Sequence, residues 1–167
     1  MMQAQGQHDA AHERFALADA ALRSGALPPL TQKELEGCRA LFWLRSGELS
    51  SATRWAETYI PSDAPLTPYD YPRIALARTL IAEGKAARAA TMLAQLAAEA
   101  EDAGYGRFQI WALLLEALAH HMENDTPRAL TVLERALALA LPEGYTRLFA
   151  DEGAPMAALL RAAQGRG

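Results

Sequence analysis

RIALARTLIAEGKAARAATML, residues 73–93, decides the fold. A helix-forming run ends at Ala82-Glu83, Gly84 breaks it, and a second run opens near Lys85. Ala77 lies seven residues before Gly84 and Ala89 five residues after it. Two antiparallel helices on a short turn cross closely only where neither carries a bulky side chain. Alanine meets that need without the entropy cost of glycine. The arrangement recurs twice, as Ala40–Gly47–Ala52 and Ala117–Asn124–Ala129, with turn residues 37 and then 40 residues apart. Trp43 and Leu80 stand three past the first alanine, and Leu93 and Leu133 four past the second. His120 and Ala56 break the apolar pattern at two such positions. Three helix–turn–helix units follow from this spacing.

Reading outward, a helix is expected from Asp9 to about Ser24, after a polar, disordered segment at residues 1–8. Gly25 and Pro28-Pro29 should end it. Thr31 and Glu34 form a capping box, hydroxyl and carboxylate each satisfying the other's backbone donor. That box should open a helix through Leu35, Cys38, Leu41, Phe42 and Leu44 to a stop at Ser46-Gly47. Leu49–Ile60 is a shorter helix, broken by Pro61, Pro65, Pro68 and Pro72. Beyond the break the expected helices are Tyr69–Glu83, Lys85–Ala103, Arg107–Glu123 and Pro127–Leu141. Thr126-Pro127 is a start signal, because proline in the first turn lacks only an amide that would be unpaired anyway. Pro142-Glu143-Gly144 is a stop, and Tyr145–Ala150 and Pro155–Ala163 follow. The domain reading is a repeat domain at residues 9–163 with a tail at 164–167.

Small-residue pairs in serial helix hairpins resemble tetratricopeptide repeats, whose usual period is about 34. The expected fold class is all-α, a superhelix of divergent tetratricopeptide-like antiparallel hairpins. Composition agrees. About a fifth of the 167 residues are alanine, the best helix former, and 51% are hydrophobic and 22% charged. A chain of this length buries roughly 70% of its unfolded surface, so neither disulfide nor metal is required. The 16 basic and 20 acidic residues leave a net charge of −4 with no basic block, unlike a nucleic-acid module. A single cysteine, no apolar signal region and no apolar run near ~20 residues point to a cytoplasmic chain without membrane contact.

Two stretches carry a more specific resemblance. Arg73-Ile74-Ala75-Leu76-Ala77-Arg78, with Ala82-Glu83-Gly84, resembles the helical repeat region of MalT-like bacterial regulators, the large ATP-binding LuxR-type transcription factors. Arg128-Ala129-Leu130 with Leu133–Ala140, followed by Pro142-Glu143-Gly144-Tyr145-Thr146-Arg147-Leu148-Phe149-Ala150-Asp151-Glu152-Gly153, is similar to the segment that ends that region before the DNA-binding module. The resemblance spans about residues 10–163. It implies a domain that senses a small-molecule effector or a regulatory protein, in contact with the other domains of a full-length regulator. The phosphate-loop pattern G-x-x-x-x-G-K-[ST] does not occur, and Glu83-Gly84-Lys85-Ala86 reads as a turn. No recognition helix is expected after Gly153, so the chain reads as an excised or truncated sensor domain. A free-standing protein–protein adaptor is the alternative.

Catalytic chemistry finds little footing. No nucleophile–base arrangement or metal set is visible, so neither an enzyme nor a cofactor is expected. Cys38 lies on an apolar helical face. His8 and His12, four apart, lack further ligands. Glu116, His120, His121 and Glu123 crowd a helix end, where a histidine's plainest role is to favour the helix dipole. Asn124-Asp125-Thr126 reads as a turn and N-cap. Binding is better supported. If the first helix of each hairpin lines an inner face, one unit presents Tyr71, Ile74, Arg78 and Ile81, and the next Trp111, Leu114, Leu118 and His121. Aromatic and arginine side chains are the usual interface anchors, which makes Tyr71, Arg78, Trp111 and His121 the candidate contact residues.

The missing phosphate loop, missing recognition helix and negative charge together predict that the chain binds neither ATP nor duplex DNA specifically. Isothermal titration with ATP should show no saturable heat at micromolar ligand. Gel shifts should show no sequence-dependent complex.

Overall fold

A computed structural model describes residues 2–25, 29–60 and 65–165. Helices are the only regular elements among them: α1 (Met2–Arg23), α2 (Pro29–Arg45), α3 (Leu49–Thr58), α4 (Tyr71–Ala82), α5 (Ala86–Asp102), α6 (Gly106–Met122), α7 (Thr126–Glu143), α8 (Thr146–Ala150) and α9 (Gly153–Gln164). The turns that join α2 to α3, α4 to α5, α5 to α6, α6 to α7 and α7 to α8 close alike. At Gly84, φ is +76°. Its N–H donates to the Ile81 carbonyl at 3.0 Å, and the Lys85 N–H reaches back to Leu80 at 2.8 Å. This pair of bonds satisfies carbonyls that a helix end otherwise leaves open, and it needs a left-handed residue at the turn. Asn124 supplies the same conformation with φ +60°, the N–H of Asp125 bonding His120 at 3.0 Å. Asparagine is among the few side chains that tolerate it.

The repeat register holds at its six small positions. Ala40, Ala52, Ala77, Ala89, Ala117 and Ala129 are all fully buried. The apolar positions tied to them follow: Leu80, Leu93 and Leu133 are core, and Trp43 is half-buried.

Residues 1–62 and 69–79 form one compact unit. In it α1 and α3 pack on α2. The Phe42 ring meets His12 edge-on at 5.0 Å and Phe15 at 5.5 Å, and the Arg39 guanidinium lies 5.6 Å from the Phe15 centroid. Gly37 of α2 lies against the start of α4. A Cβ there would stand 2.8 Å from Pro72 Cα, so only glycine fits. The second unit, residues 63–68 and 80–167, stacks α5 on α6 and α6 on α7, with α9 against both α6 and α7. From Phe108 to Ala119 every residue of α6 except Trp111 is buried. A helix buried on nearly all sides, here with Gln109 and Glu116 among its buried residues, belongs in the middle of such a stack.

Several boundaries differ from expectation, each for a local reason. α1 starts at Met2 instead of Asp9, so residues 2–8 are helical; alanine and glutamine there support a helix, and only Gly6 opposes it. α2 starts at Pro29, a residue suited to a first turn. Thr31 is therefore inside the helix and not before it, and its side chain, like Pro28 and Pro61, lies outside the described residues. α3 ends at Thr58 and α4 opens at Tyr71 with Pro72 in its first turn. α7 continues through Pro142 to Glu143. Proline in a last turn removes one bond, and the true stop is Gly144 at φ +71°. α9 reaches Gln164; Arg166 and Gly167 lie outside the described residues.

Full burial of Ala89 and Ala129 fixes the cost of enlarging them. Ala89→Leu or Ala129→Leu should overpack the second unit by roughly 1–3 kcal/mol and lower Tm by several degrees in a thermal melt. Ala98→Leu, at an exposed position of α5, should leave Tm nearly unchanged.

Candidate functional site

Of the two predicted contact rows, part is core. On α4, Ile74 is fully buried, while Tyr71, Arg78 and Ile81 are half-buried. On α6, Leu114 and Leu118 are core, and Trp111 and His121 keep partial access. Trp111 packs edge-on against the Phe108 ring at 6.3 Å, and Tyr71 lies 6.5 Å from the Tyr69 ring. His121 Nδ1 is buried without a hydrogen-bond partner. Tyr71 and Arg78 belong to the first unit and Trp111 and His121 to the second.

A second arrangement, within the second unit, was not expected. A cleft of about 440 Å³ lies between α5, α6 and α7. α5 lines it with small residues, Ala87, Ala90, Thr91 and Ala94; α6 adds Glu116 and His120, the α6–α7 turn adds Glu123 and Asp125, and α7 adds Arg128. Glu116, His120 and Glu123 are spaced four and three apart, one helical face. At 3.6 residues per turn that face is opposite the Trp111–His121 row. The cluster read at the helix end is thus two separate features, with His121 apart from the other three.

Glu116 is the deep group. Its side chain is 9% exposed, Oε1 lies 3.8 Å from His120 Nε2, and Oε2 is buried without a hydrogen-bond partner. A buried acceptor left unmade costs about 1–3 kcal/mol, and more when charged. Burial pushes the Glu116 carboxyl above its ordinary pKa, and the Arg135 guanidinium acts against the shift. At the rim, the Asp125 carboxylate caps α7 by accepting the Arg128 backbone N–H at 3.2 Å, and it pairs with Arg128 Nε at 3.5 Å. That pair is exposed, so it contributes little to stability.

The signal for this cleft was present in the repeats. Glu116 stands eight residues before its turn residue, where the Gly84 hairpin has Leu76 and the Gly47 hairpin Arg39. His120 stands four before, where the others have Leu80 and Trp43. Leu76 and Leu80 are core. The third hairpin puts polar groups at their equivalents and faces them with alanine.

A family model described as MalT-like TPR region matches residues 1–166. The chain belongs to that family. Its fold class is accordingly an all-α array of tetratricopeptide-like hairpins, and the expected resemblance holds across nearly the whole sequence. A search of curated proteins gave no match. In this MalT-like region, no described helix is long and apolar enough to cross a membrane. Among the described residues no three His, Cys, Asp or Glu side chains are grouped to hold a metal ion. His12 contacts Glu48 at 3.6 Å and Phe42, while the His8 side chain lies outside the described residues. Cys38 is half-buried, and burial, with the Glu34 carboxylate adding, raises its thiol pKa. That favours the thiol over the reactive thiolate.

Burial of Glu116 has a pH signature. Its folded pKa is raised, so the unfolded chain releases this proton at lower pH than the folded one. Stability from this group is therefore lost as pH rises from the ordinary carboxylate value of 4.5 through the raised folded value. Glu116→Gln removes that loss. In melts between pH 4.5 and about 7.5, the variant's Tm should exceed the parent's by a margin that widens with pH to a few degrees.

Proposed function

We propose that this chain is the effector- or protein-sensing region of a MalT-like, LuxR-type transcription regulator that works in the cytoplasm. Nucleotide hydrolysis and DNA reading are assigned to other modules. The chain itself acts by binding, without catalysis or a cofactor, and its partners are the effector and the regulator's other domains. The match of the MalT-like TPR region model to residues 1–166 carries this reading. Partial exposure of Trp111, on an otherwise buried stretch of α6, supports it. A helix that buries its leucines but leaves a tryptophan accessible keeps an anchor for a partner.

In mechanism, an effector held by Trp111 and His121, or by Tyr71 and Arg78, favours whichever regulator state leaves those side chains open. Binding alone does not switch anything. The effector must bind one state more tightly than the other, and moving a 1:99 population to 99:1 takes about 10⁴-fold preference. Coding sequence adjoining this region tests the assignment directly. A Walker motif upstream and a helix-turn-helix downstream are expected, and neither would be found beside a free-standing adaptor.

In the full regulator, Arg78→Ala or Trp111→Ala should weaken the effector response by about 2 kcal/mol, or roughly 30-fold in half-maximal effector concentration. The melting curve of the chain should change little. A Trp111→Ala chain that unfolds, yet responds normally per folded molecule, would show that this ring is core.

A further inference from the structure

The cleft between α5, α6 and α7 lies on the opposite side of α6 from Trp111 and His121, and the proposed sensing role makes no use of it. Its deepest polar group is a carboxylate with one oxygen unpartnered, in a side chain more than nine-tenths buried. Nothing within the fold requires an acid there, since Leu76 fills the equivalent place in the preceding hairpin and is core. We propose that the cleft binds an aliphatic cation, an ammonium or guanidinium head on a methylene stem, with Glu116 taking the head and the α5 alanines taking the stem.

Charge, size and lining agree on this class. The Asp125 carboxylate is already engaged by Arg128; Glu116 has His120 at 3.8 Å from Oε1 and the Arg135 guanidinium as its charged neighbours, yet its Oε2 has no hydrogen-bond partner. The volume of about 440 Å³ is on the scale of small-ligand sites. Ala87, Ala90 and Ala94 give an apolar wall with no bulk to displace, and the Thr91 hydroxyl is turned to the Ala87 carbonyl of its own helix at 3.1 Å. His120 Nε2, 3.8 Å from Glu116, marks the second side of the head-group position. Desolvation penalises the ionised form of Glu116. An entering cation supplies the missing partner and removes that penalty.

Isothermal titration of the full chain with agmatine, which carries both head groups on one stem, tests the proposal. Putrescine serves as a second probe and 1,4-butanediol as its uncharged counterpart. Saturable binding of agmatine or putrescine is expected, with none of the diol. Glu116→Gln should weaken the cation at least tenfold while folding is kept. Ala94→Leu fills the cleft from an exposed helical position and should abolish binding without loss of Tm. It also keeps the test decisive if the Glu116 variant folds poorly. Absence of binding to the parent chain up to about 10 mM would overturn the site. Equal binding by the parent and Ala94→Leu chains would also overturn it, because that marks general attraction to an acidic surface.

Discussion

Close helix crossing is the constraint on which this molecule rests. Where two antiparallel helices leave one short turn, their axes converge at fixed distances from it, and a side chain larger than a methyl at that depth forces them apart. Ala40 with Ala52, and Ala117 with Ala129, meet the constraint within their units at zero exposure. The turns close through the backbone. Two backbone bonds and one left-handed residue close each of them, so side chains elsewhere are free to diverge provided the alanines stay. That freedom explains how hairpins of unequal period still build one kind of structure.

The cleft is what such freedom produces. Where the Gly84 hairpin carries Leu76 and Leu80, both buried, the Asn124 hairpin carries Glu116 and His120. Two consequences follow together. Apolar volume is lost against the alanine face of α5, which opens space, and a carboxyl enters a place where water solvates it poorly. A charge so placed is costly unless paired. Local disagreement between a residue and its repeat position is where a fold most often departs from pure stability toward binding. On the far side of α6 the chain follows the ordinary rule, with Leu114 and Leu118 in the core and only Trp111 and His121 accessible.

Most of the architecture was legible in the sequence because its determinants are local. Gly47, Gly84 and Asn124 announce their turns by residue type, and the alanines five after and seven before them announce the crossings. Helix ends were less legible. Pro142 reads as a stop, yet α7 passes through it to Glu143, and the αL cap at Gly144 closes the helix. The site was half legible. His120 was visible as a polar residue in an apolar position, but its meaning depended on Ala87, Ala90 and Ala94, which come from another helix. Spacing along one helix cannot reveal what stands opposite. Which members of the inner rows are core was illegible for the same reason, since burial of Leu114 depends on neighbours that its own helix does not specify.

Gly37 bears on how the chain can be taken apart. The proline-rich stretch around residues 61–68 looks like a natural place to cut, but a cut there separates residues 69–79 from the rest of their unit. Residues 65–68 belong to the second unit, and residues 69–79 belong to the first, where Pro72 stands against Gly37. A fragment ending before α4 would leave the Gly37 notch facing water, and one beginning after it would lack Leu66 from its core. Residues of the two units alternate in sequence, so gene fusion or shuffling at the prolines would deliver two incomplete parts. Exchange between relatives preserves both only when α4 travels with the helices on either side of it.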